Sequence, residues 1–356
     1  MKRSSFSSTR RGLKQVLAAA GVALALAAPN VYAKRVNWDV AAHFPTTMPL
    51  TGAAMKRISL YLDEVSAGQV KLRFVEPGAL VPPNEILQSL QMGAIDAAYS
   101  APGFWAGQEP ALQVFGGLPF GPDPESFLAW FYAGEGREIY QSLYDKFSVH
   151  AIPCGLIPAE AAGWFNKQIQ NTGDFKGLKM RIFGLGGLVL ERFGASPQLL
   201  GVGDTIPALE LGTIDAAEMV VPSIDYQFKF HQLAKHYYFP GWHQRTTFTD
   251  LLINKNVWNK LEKPQQQLIE LVCSDAVRYS QAQGLWEQPE ALKKIAAEGA
   301  VIERLPDDVL RALRTTWDEV AAEQMQLSPN FKRAFESLNQ FVQSQKQWDS
   351  LQKLDP

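Results

Sequence analysis

The chain has 356 residues, of which 46% are hydrophobic and 20% are charged. At roughly 100–200 residues per domain, this length predicts about two domains, and the composition argues against disorder and against a coiled coil. Residues 1–33 contain five basic residues and no acidic one, so the remainder has 29 basic against 36 acidic residues and a net charge of −7. Because nucleic-acid binding requires basic surface, we expect no nucleic-acid partner.

The N-terminus is typical of an export signal. A basic start is followed by an apolar run over residues 16–28, which is short for a membrane span. Val31 and Ala33 have the size expected before a signal-peptidase site, so we predict cleavage after Ala33, with an N-terminal anchor as the alternative. Because no later apolar run has membrane length, we expect an exported, soluble chain. Arg10 and Arg11 leave the export route open between Sec and Tat.

The patterns at the start of the chain alternate between strand and helix. Residues 36–41 and 70–75 alternate apolar and polar side chains, whereas residues 52–65 have helical spacing with one apolar face. This order predicts a β–α–β unit with a parallel sheet.

A nine-residue pattern then occurs twice. Residues 90–98, LQMGAIDAA, recur as residues 209–217, LELGTIDAA, with six identities at matching offsets. Each copy ends a predicted helix with a glycine suited to a left-handed cap, and each then enters a short strand. The strand leads to Tyr99 in the first copy and to Glu218 in the second. Two such units predict two lobes of related α/β architecture.

The second half continues with strand patterns and ends with helices. Residues 178–182 are strand-like, residues 188–193 are helical, and residues 251–253 are a strand that returns toward the first lobe. After Pro264 the spacing is mostly helical.

Two helices close the chain. We predict one over residues 307–325 with Asp307 as its N-cap, and a last one that begins at Ser328. The last helix carries Phe331, Phe335 and further apolar residues that can form core or a homodimer face.

Together these patterns predict an α/β clamshell of two lobes, joined by crossing hinge strands, with C-terminal helices packed behind. We divide the chain into a signal peptide, two lobes of two segments each and a C-terminal helix: 1–33; lobe I, 34–157 and 246–285; lobe II, 158–245 and 286–327; and 328–356. The two cysteines, Cys154 and Cys273, are 119 residues apart. Because a core of this size needs no disulfide, we expect two buried free thiols, with a disulfide as the alternative.

Enzyme signatures are not found. The sequence has no Gly-x-Ser-x-Gly and no phosphate-binding Gly-x-x-x-x-Gly-Lys motif. The glycines at 184–187 precede a helix, but Val189 stands where a dinucleotide fingerprint needs glycine, so we assign them to helix packing. His231 and His236 are five apart and form no zinc pair, and we interpret each histidine as a surface or satisfied group. We expect no catalysis.

The remaining candidate residues are suited to binding a ligand rather than to catalysis. Arg181 follows an apolar strand and precedes a glycine turn, where α/β proteins bind ligands, and its planar guanidinium matches a carboxylate. A structural ion pair is the alternative. Glu160, Glu218 and Gln244 lie in apolar or aromatic surroundings, and their oxygens suit a hard cation such as Na⁺ or Ca²⁺. Four aromatic residues are candidates for the cleft walls: Phe104, Trp105, Phe183 and Trp242.

At these residues the sequence resembles the solute-binding proteins of tripartite ATP-independent periplasmic (TRAP) transporters, over essentially the whole mature chain. It is most similar to the branch that binds 2-oxo and 2-hydroxy monocarboxylates. The resemblance rests on six segments: residues 163–165, 177–181, 203–210, 212–216, 237–242 and 253–255.

The resemblance implies a periplasmic binding protein that delivers its ligand to membrane permease subunits. It places the substrate carboxylate on Arg181 and a bridging cation between protein and substrate oxygens. The glutamine and glutamate that the family has at two cation positions are exchanged here, as Glu160 and Gln244. Where the family has tyrosines, this chain has Phe104 and its neighbours. The implied substrate site is Arg181, Glu160, Met219, Phe104 and Trp242, and the implied metal site is Glu160, Glu218, the Met219 carbonyl and Gln244.

The sequence therefore predicts a receptor for a small monocarboxylate, such as pyruvate or lactate, that serves secondary active uptake. The first alternative is a metal-free site for another acid: a dicarboxylate, a sulfonate, an aromatic acid or pyroglutamate. The second is an exported enzyme that uses Glu160 and Glu218 for acid–base chemistry. The third is a sensor that reports its ligand to a membrane kinase.

Overall fold

The computed structural model describes residues 35–352 and residue 354. The predicted signal peptide, residues 1–33, lies outside the described residues. The compact unit that begins at Val36 contains two β-sheets, which are described first.

The first sheet has five strands in the order β2-β1-β3-β10-β4. Its strands are β1 (Val36–Ala42), β2 (Val70–Val75), β3 (Ala97–Ser100), β4 (Val149–Ile157) and β10 (Thr247–Asn254). Strand β1 runs parallel to β2 and β3, which confirms the parallel β–α–β start, whereas β10 runs antiparallel to β3 and β4.

The second sheet has six strands in the order β11-β9-β5-β8-β6-β7. Strand β6 is parallel to β7 and β8, and β5 is antiparallel to β8 and β9. The strands are β5 (Gly163–Phe165), β6 (Lys179–Arg181), β7 (Ser196–Gln198), β8 (Ala216–Ala217), β9 (His236–Phe239) and β11 (Val301–Arg304).

Twelve α-helices surround the sheets in the described part of the chain. Five precede β4: α1 (Thr51–Val65), α2 (Ile86–Met92), α3 (Gln113–Gly116), α4 (Pro124–Ala133) and α5 (Gly136–Asp145). Four short ones follow it: α6 (Leu185–Glu191), α7 (Val202–Glu210), α8 (Pro222–Gln227) and α9 (Lys255–Trp258). Three long ones occupy the C-terminal part: α10 (Lys263–Ala297), α11 (Asp307–Leu327) and α12 (Pro329–Leu351). Within the described ranges, no helix combines the length and apolar character that crossing a membrane requires.

The chain passes between the sheets three times. Residues 158–162 lead from β4 to β5, residues 240–246 lead back from the second sheet to β10, and α10 contacts both α1 and α8. At about 1.5 Å per residue, the 35 residues of α10 extend over roughly 50 Å. These crossings confirm the predicted two-lobed α/β architecture.

Both copies of the repeat adopt the predicted helix–glycine–strand unit. In the first copy α2 ends at Gly93, with φ of 72°, and leads to β3 in the first sheet. In the second copy α7 is followed by Gly212, with φ of 67°, and leads to β8 in the second sheet. Each glycine adopts the left-handed conformation that a side chain disfavours.

Three local expectations are corrected. Helix α11 has Pro306 as its N-cap, so the prediction of Asp307 as the cap is wrong, and Asp307 is the first helical residue. Helix α6 begins at Leu185, three residues before the predicted start, because its first turn is built from the glycines at 186 and 187. The two cysteines form a disulfide between β4 and α10, and the expectation of two free thiols is wrong.

The last helix buries its predicted apolar stripe within the chain. Phe331, Phe335 and Leu338 of α12 are buried, and the Ser328 hydroxyl accepts a hydrogen bond from the Phe331 amide at 3.1 Å, as an N-cap does. The far end of α12 differs, because Trp348 and Leu351 are exposed. The stripe is therefore core rather than a free face.

Candidate functional site

A cavity of about 330 Å³ lies where strands of both sheets end. The first-sheet wall is mostly apolar, and the second-sheet wall carries most of the charged groups. The first-sheet wall comprises His43, Phe44, Pro45, Met48, Pro77, Pro83, Ala101, Phe104, Ile157 and Thr247. The remaining lining residues are Glu160, Arg181, Phe183, Gly201, Gly203, Asp204, Glu218, Met219, Val220 and Gln244.

Arg181 and Glu218 form a buried ion pair at the ends of neighbouring strands. Arg181 Nη1 lies 2.9 Å from Glu218 Oε2 and also donates to the Glu218 carbonyl, while its Nε donates to the Leu200 carbonyl at 3.1 Å. The Phe183 amide donates to the same Glu218 oxygen at 3.1 Å. Arg181 Nη2 forms no hydrogen bond with the described residues, so one edge of the guanidinium stays available to a ligand.

A second buried carboxylate lies beside this pair. Gln244 Nε2 donates to Glu160 Oε1 at 2.7 Å, and the Glu160 amide donates to the Gln244 carbonyl at 3.2 Å. His243 Nε2 lies 3.8 Å from Glu160 Oε2 and 3.6 Å from Glu218 Oε1, which is too long for a hydrogen bond. Two carboxylates, one amide and one imidazole therefore converge, and each of these residues is at most 5% exposed.

The free atoms of this cluster define a ligand site. Among the described residues, Glu160 Oε2, Glu218 Oε1, Gln244 Oε1 and both ring nitrogens of His243 are buried without a hydrogen-bond partner. One ligand atom each from Glu160, Glu218 and His243 lie within 4.8 Å of one another. Because a buried unpartnered polar atom costs free energy, four side chains with such atoms at one point indicate a bound cation or a polar ligand.

The two carboxyl groups titrate in opposite directions. Burial, and after it the nearby Glu218 carboxylate, hold the pKa of Glu160 well above its usual range. Burial also opposes ionisation of Glu218, but Arg181 and His243 outweigh it and lower the pKa of Glu218 to about 2. Glu218 is thus a permanent carboxylate, while Glu160 needs a positive partner in order to ionise.

Two glycines make the close packing of this cluster possible. A Cβ on Gly241 would lie 2.2 Å from the Glu160 carbonyl oxygen, and one on Gly186 would lie 2.7 Å from His243 Cβ. Gly186, in the first turn of α6, therefore lets His243 approach the carboxylates. This contact accounts for Gly186 without a dinucleotide.

The structure brings most of the predicted site residues together. Phe104 and every predicted metal residue line the one cavity with Arg181: Glu160, Glu218, Met219 and Gln244. Trp242 lies outside the lining and packs on Phe120 at 5.8 Å between ring centroids.

Two histidines of the site were not predicted from the sequence: one lines the cavity, and the other lies beside it in the buried cluster. His43 lines the cavity from the first-sheet side, and His243 belongs to the buried cluster. The interpretation of His243 as a surface or satisfied group is wrong. Its position between Trp242 and Gln244, directly after a segment that carried the family resemblance, was the signal available in the sequence.

Comparison with known proteins identifies the class. A model of the DctP family, described as bacterial extracellular solute-binding protein, family 7, matches residues 41–327. The chain therefore belongs to this family and is a TRAP-type extracytoplasmic solute receptor. The family and the structural neighbours are solute-binding receptors rather than enzymes. This finding confirms the expectation that the chain is not an enzyme, and it removes the exported-enzyme alternative.

Particular relatives are similar over nearly the whole chain. The monocarboxylate 2-oxoacid-binding periplasmic protein of Nostoc sp. is 30% identical over 90% of this chain and 87% of its own. A TRAP solute-binding protein from Bordetella bronchiseptica, a dimer with copurified calcium and picolinate, has a TM-score of 0.86 at 28% identity, covering 89% and 95% of the two chains. One from Pseudoalteromonas atlantica with bound sodium and pyruvate has a TM-score of 0.85 at 29% identity, covering 90% and 97%.

Proposed function

We propose that this chain is a periplasmic receptor that binds a 2-oxo or 2-hydroxy monocarboxylate together with a hard cation. The observation that carries this proposal is the buried set of unpartnered oxygens on Glu160, Glu218 and Gln244, beside the free edge of Arg181. The proposal is supported by relatives described with pyruvate and sodium and as 2-oxoacid-binding.

The donor set fits a hard cation. Carboxylate and amide oxygens are the ligands that Ca²⁺ prefers, and the Met219 carbonyl beside Glu218 adds a neutral oxygen. A cation here would supply the positive partner that Glu160 needs in order to ionise. His243 completes the cluster and would orient the two carboxylates toward the ion. We propose Glu160, Glu218, Met219 and Gln244 as the protein ligands of Na⁺ or Ca²⁺.

Arg181 would bind the substrate carboxylate. Its Nη1 and Nε are held by Glu218 and Leu200, which fix the guanidinium plane, while Nη2 forms no hydrogen bond with the described residues. A carboxylate oxygen on Nη2 and a second oxygen on the cation would leave the 2-oxygen of the ligand to complete the chelate. This arrangement uses the planarity of arginine, which lysine does not have.

The charge of the lining favours one carboxylate over two. Among the described residues that line the cavity, Arg181 is the one with a permanent positive charge, whereas three are acidic: Glu160, Asp204 and Glu218. Burial lowers the pKa of His43 to about 4, so this second basic residue is neutral near pH 7. A second anionic group on the ligand would therefore be buried without a counter-charge.

The remaining assignments follow from this function. We propose residues 1–33 as the signal peptide, 34–157 with 246–285 and 158–245 with 286–327 as the two lobes, and 328–356 as a C-terminal helical segment. The partners would be the TRAP permease subunits that receive the acid for uptake. A homodimer is supported by the dimeric neighbour, and a sensing role would use the same ligand site.

The experiment is a calorimetric titration of the mature chain with pyruvate, lactate, succinate and pyroglutamate, before and after exhaustive chelation. We expect pyruvate or lactate to bind, and chelation to weaken that binding at least about tenfold until Na⁺ or Ca²⁺ is restored. Binding that is unaltered by chelation would remove the cation from the site.

The matched variants are Arg181→Lys and Arg57→Lys. Arg57 is also partly buried and paired, with Nε 2.7 Å from Asp275 Oδ2, but it lies outside the cavity lining. We expect Arg181→Lys to reduce affinity about 10–100-fold, because a charged hydrogen bond contributes about 1.5–3 kcal/mol. Arg57→Lys should leave affinity unchanged. Equal affinity in both variants would contradict the role of Arg181.

A further inference from the structure

Among the described residues of the first-sheet wall, His43 is the one whose side chain offers an N–H group to the cavity, and Thr247 at the start of β10 contributes a hydroxyl. His43 follows β1 directly, and its backbone amide donates to the Tyr99 carbonyl at 2.8 Å. The imidazole therefore faces the charged wall from a strand end that the sheet holds in place.

The His43 ring is fixed on several sides. It stacks on Phe104 with 3.7 Å between centroids and 14° between planes, and it lies edge-on to Trp105 at 5.9 Å. Nδ1 lies 3.3 Å from the hydroxyl oxygen of Ser100, which is fully buried. Nε2 forms no hydrogen bond with any described residue, and it is the ring nitrogen left for the cavity.

The surroundings also select the protonation state of the ring. We assign the Ser100 hydroxyl as the donor to His43 Nδ1, because no other acceptor for this hydroxyl is found among the described residues. The proton of the neutral imidazole then resides on Nε2. Burial, which lowers the pKa of His43 to about 4, keeps the ring neutral. The first-sheet wall thus offers one uncharged N–H donor in an apolar surface.

The cavity has room for more than pyruvate. Its volume of about 330 Å³ lies near the lower end, about 300 Å³, of pockets that hold drug-sized ligands. Phe104, which stacks on His43, contacts Phe183 edge-on at 5.0 Å between centroids, and the Phe183 amide is bound to Glu218. His43 is therefore connected to the carboxylate site along the wall through two apolar rings, those of Phe104 and Phe183.

We infer that His43 is a specificity-determining residue, and that the site takes 2-oxo monocarboxylates whose apolar chain ends in a neutral hydrogen-bond acceptor, such as a hydroxyl group. This inference rests on the proposed function, because the acid end must first be held by Arg181 and the cation. The Nε2–H group donates to the distal acceptor, while the apolar wall packs on the chain between. An anionic distal group is disfavoured because the neutral ring gives it no counter-charge.

The test compares four acids that share one head group: pyruvate, 2-oxopentanoate, 5-hydroxy-2-oxopentanoate and 2-oxoglutarate. Calorimetry with the wild-type chain should show that the hydroxy acid binds about tenfold more tightly than 2-oxopentanoate, and that 2-oxoglutarate binds most weakly of the three longer acids. His43→Phe keeps a ring for Phe104 and removes the N–H group. It should abolish the tenfold preference and change pyruvate affinity by less than about twofold.

His150→Phe is the matched control. His150 lies in β4 of the same sheet, stacks on Trp258 at 4.1 Å, and burial likewise lowers its pKa to about 4, but it does not line the cavity. This variant should keep the wild-type preference. If His43→Phe fails to fold, Ser100→Ala replaces it. This change removes the hydroxyl that keeps the imidazole proton on Nε2, so the preference for the hydroxy acid should fall about threefold.

The outcomes separate the two proposals. If the wild-type chain binds pyruvate but shows no preference for the hydroxy acid, or if the preference survives in His43→Phe, the role of His43 is wrong and the proposed function stands. If no 2-oxo acid binds to the wild-type chain, the proposed function itself is wrong.

Discussion

The two copies of the repeat fold alike and end differently. Each runs from a helix through a left-handed glycine into a short parallel strand, yet the residue after the shared motif is Tyr99 in the first sheet and Glu218 in the second. The Tyr99 hydroxyl forms a hydrogen bond of 2.6 Å with the Thr249 hydroxyl, inside the first sheet and away from the cavity lining. Glu218 instead meets Arg181 at the cavity. Under the proposed function, one folding unit serves packing in one lobe and recognition in the other.

The same contrast holds for buried carboxylates. Asp250 of β10 is paired in register with Ser100, two residues after the first copy of the repeat, whereas Glu218 directly follows the second copy. The Tyr144 hydroxyl donates to Asp250 Oδ2 at 2.9 Å, but no cationic group faces this carboxylate among the described residues, whereas Glu218 has Arg181. Burial raises the pKa of Asp250 to about 7 against the effect of its tyrosine donors, while that of Glu218 is lowered to about 2. Both carboxyl groups are buried, so the charged partner Arg181, not burial, accounts for the opposite pKa shifts of Glu218 and Asp250.

The largest effect is expected from Glu218→Gln, which removes the negative charge that distinguishes the second repeat from the first. Glu218→Gln leaves the Arg181 charge buried without a counter-charge, and we expect the free energy of unfolding to fall by about 3–5 kcal/mol. Binding of the acid and the cation should be lost. The matched change in the first repeat, Tyr99→Phe, should cost about 1–3 kcal/mol by leaving the Thr249 hydroxyl without its partner, and should leave affinity unaltered. Denaturant unfolding and calorimetry on both variants measure this, and equal losses of affinity would refute the division of roles.

The next effect is a pH dependence of opposite sign for the two carboxylates. Because the folded-state pKa of Asp250, about 7, lies above its usual value of 3.8, Asp250 lowers stability as pH rises from about 4 to 7. Glu218 has a lowered pKa, so its stabilising contribution is present above about pH 4.5 and is lost as pH falls toward 2. The rise of the Asp250 pKa from 3.8 to about 7 sets an upper limit of about 4 kcal/mol for its effect on the free energy of unfolding.

Asp250→Asn tests the first half of this statement. Between pH 4.5 and pH 7.5, the wild-type chain should lose more free energy of unfolding than Asp250→Asn does, as measured by guanidinium titration at each pH. The variant should keep the loss of stability below pH 4 that Glu218 causes. Parallel curves for the two proteins would show that Asp250 does not titrate in this range.

A smaller effect is expected at Gly186, whose lack of a side chain allows His243 to pack beside Glu160 and Glu218. Gly186→Ala places a Cβ 2.7 Å from His243 Cβ, so His243 must move away from Glu160 and Glu218. We expect a loss of about 1–3 kcal/mol in stability and a weaker cation-dependent affinity. Gly187→Ala is the control, because its nearest contact, Pro197 Cβ at 3.3 Å, lies away from His243. If both variants bind the acid equally, the position of His243 is not critical.

The sequence predicted what depends on local pattern. Helical spacing, alternation and the glycine of each repeat are local properties, and the corresponding elements were placed within a few residues. Arg181 and Glu218 could be singled out because a charged residue in an apolar strand is unusual at any position. The start of α6 was missed because its first turn is glycine-rich, which local propensity disfavours and packing against His243 explains.

What could not be predicted depends on distance in space. The Cys154–Cys273 disulfide joins residues 119 apart, and sequence separation does not determine whether two thiols meet. His243 was missed for the same reason, because its partners come from the segment after β4 and from the end of β8. Trp242 was expected in the site from its neighbours in sequence, but its ring packs on the opposite side, on Phe120.

The smallest expected effect concerns the part that the repeats share. Gly93→Ala and Gly212→Ala each force a side chain into the left-handed region, at φ of 72° and 67°, and neither Cβ would meet an atom closer than 3.8 Å. The cost is therefore conformational, and we expect about 1 kcal/mol from each variant, with no change in ligand affinity. Gly107→Ala, at a glycine without positive φ and with open space around it, is the control and should be close to neutral. If Gly212→Ala alone weakened binding, the shared turn of the second repeat would itself belong to the ligand site, and the separation between a common fold and a local chemistry would fail.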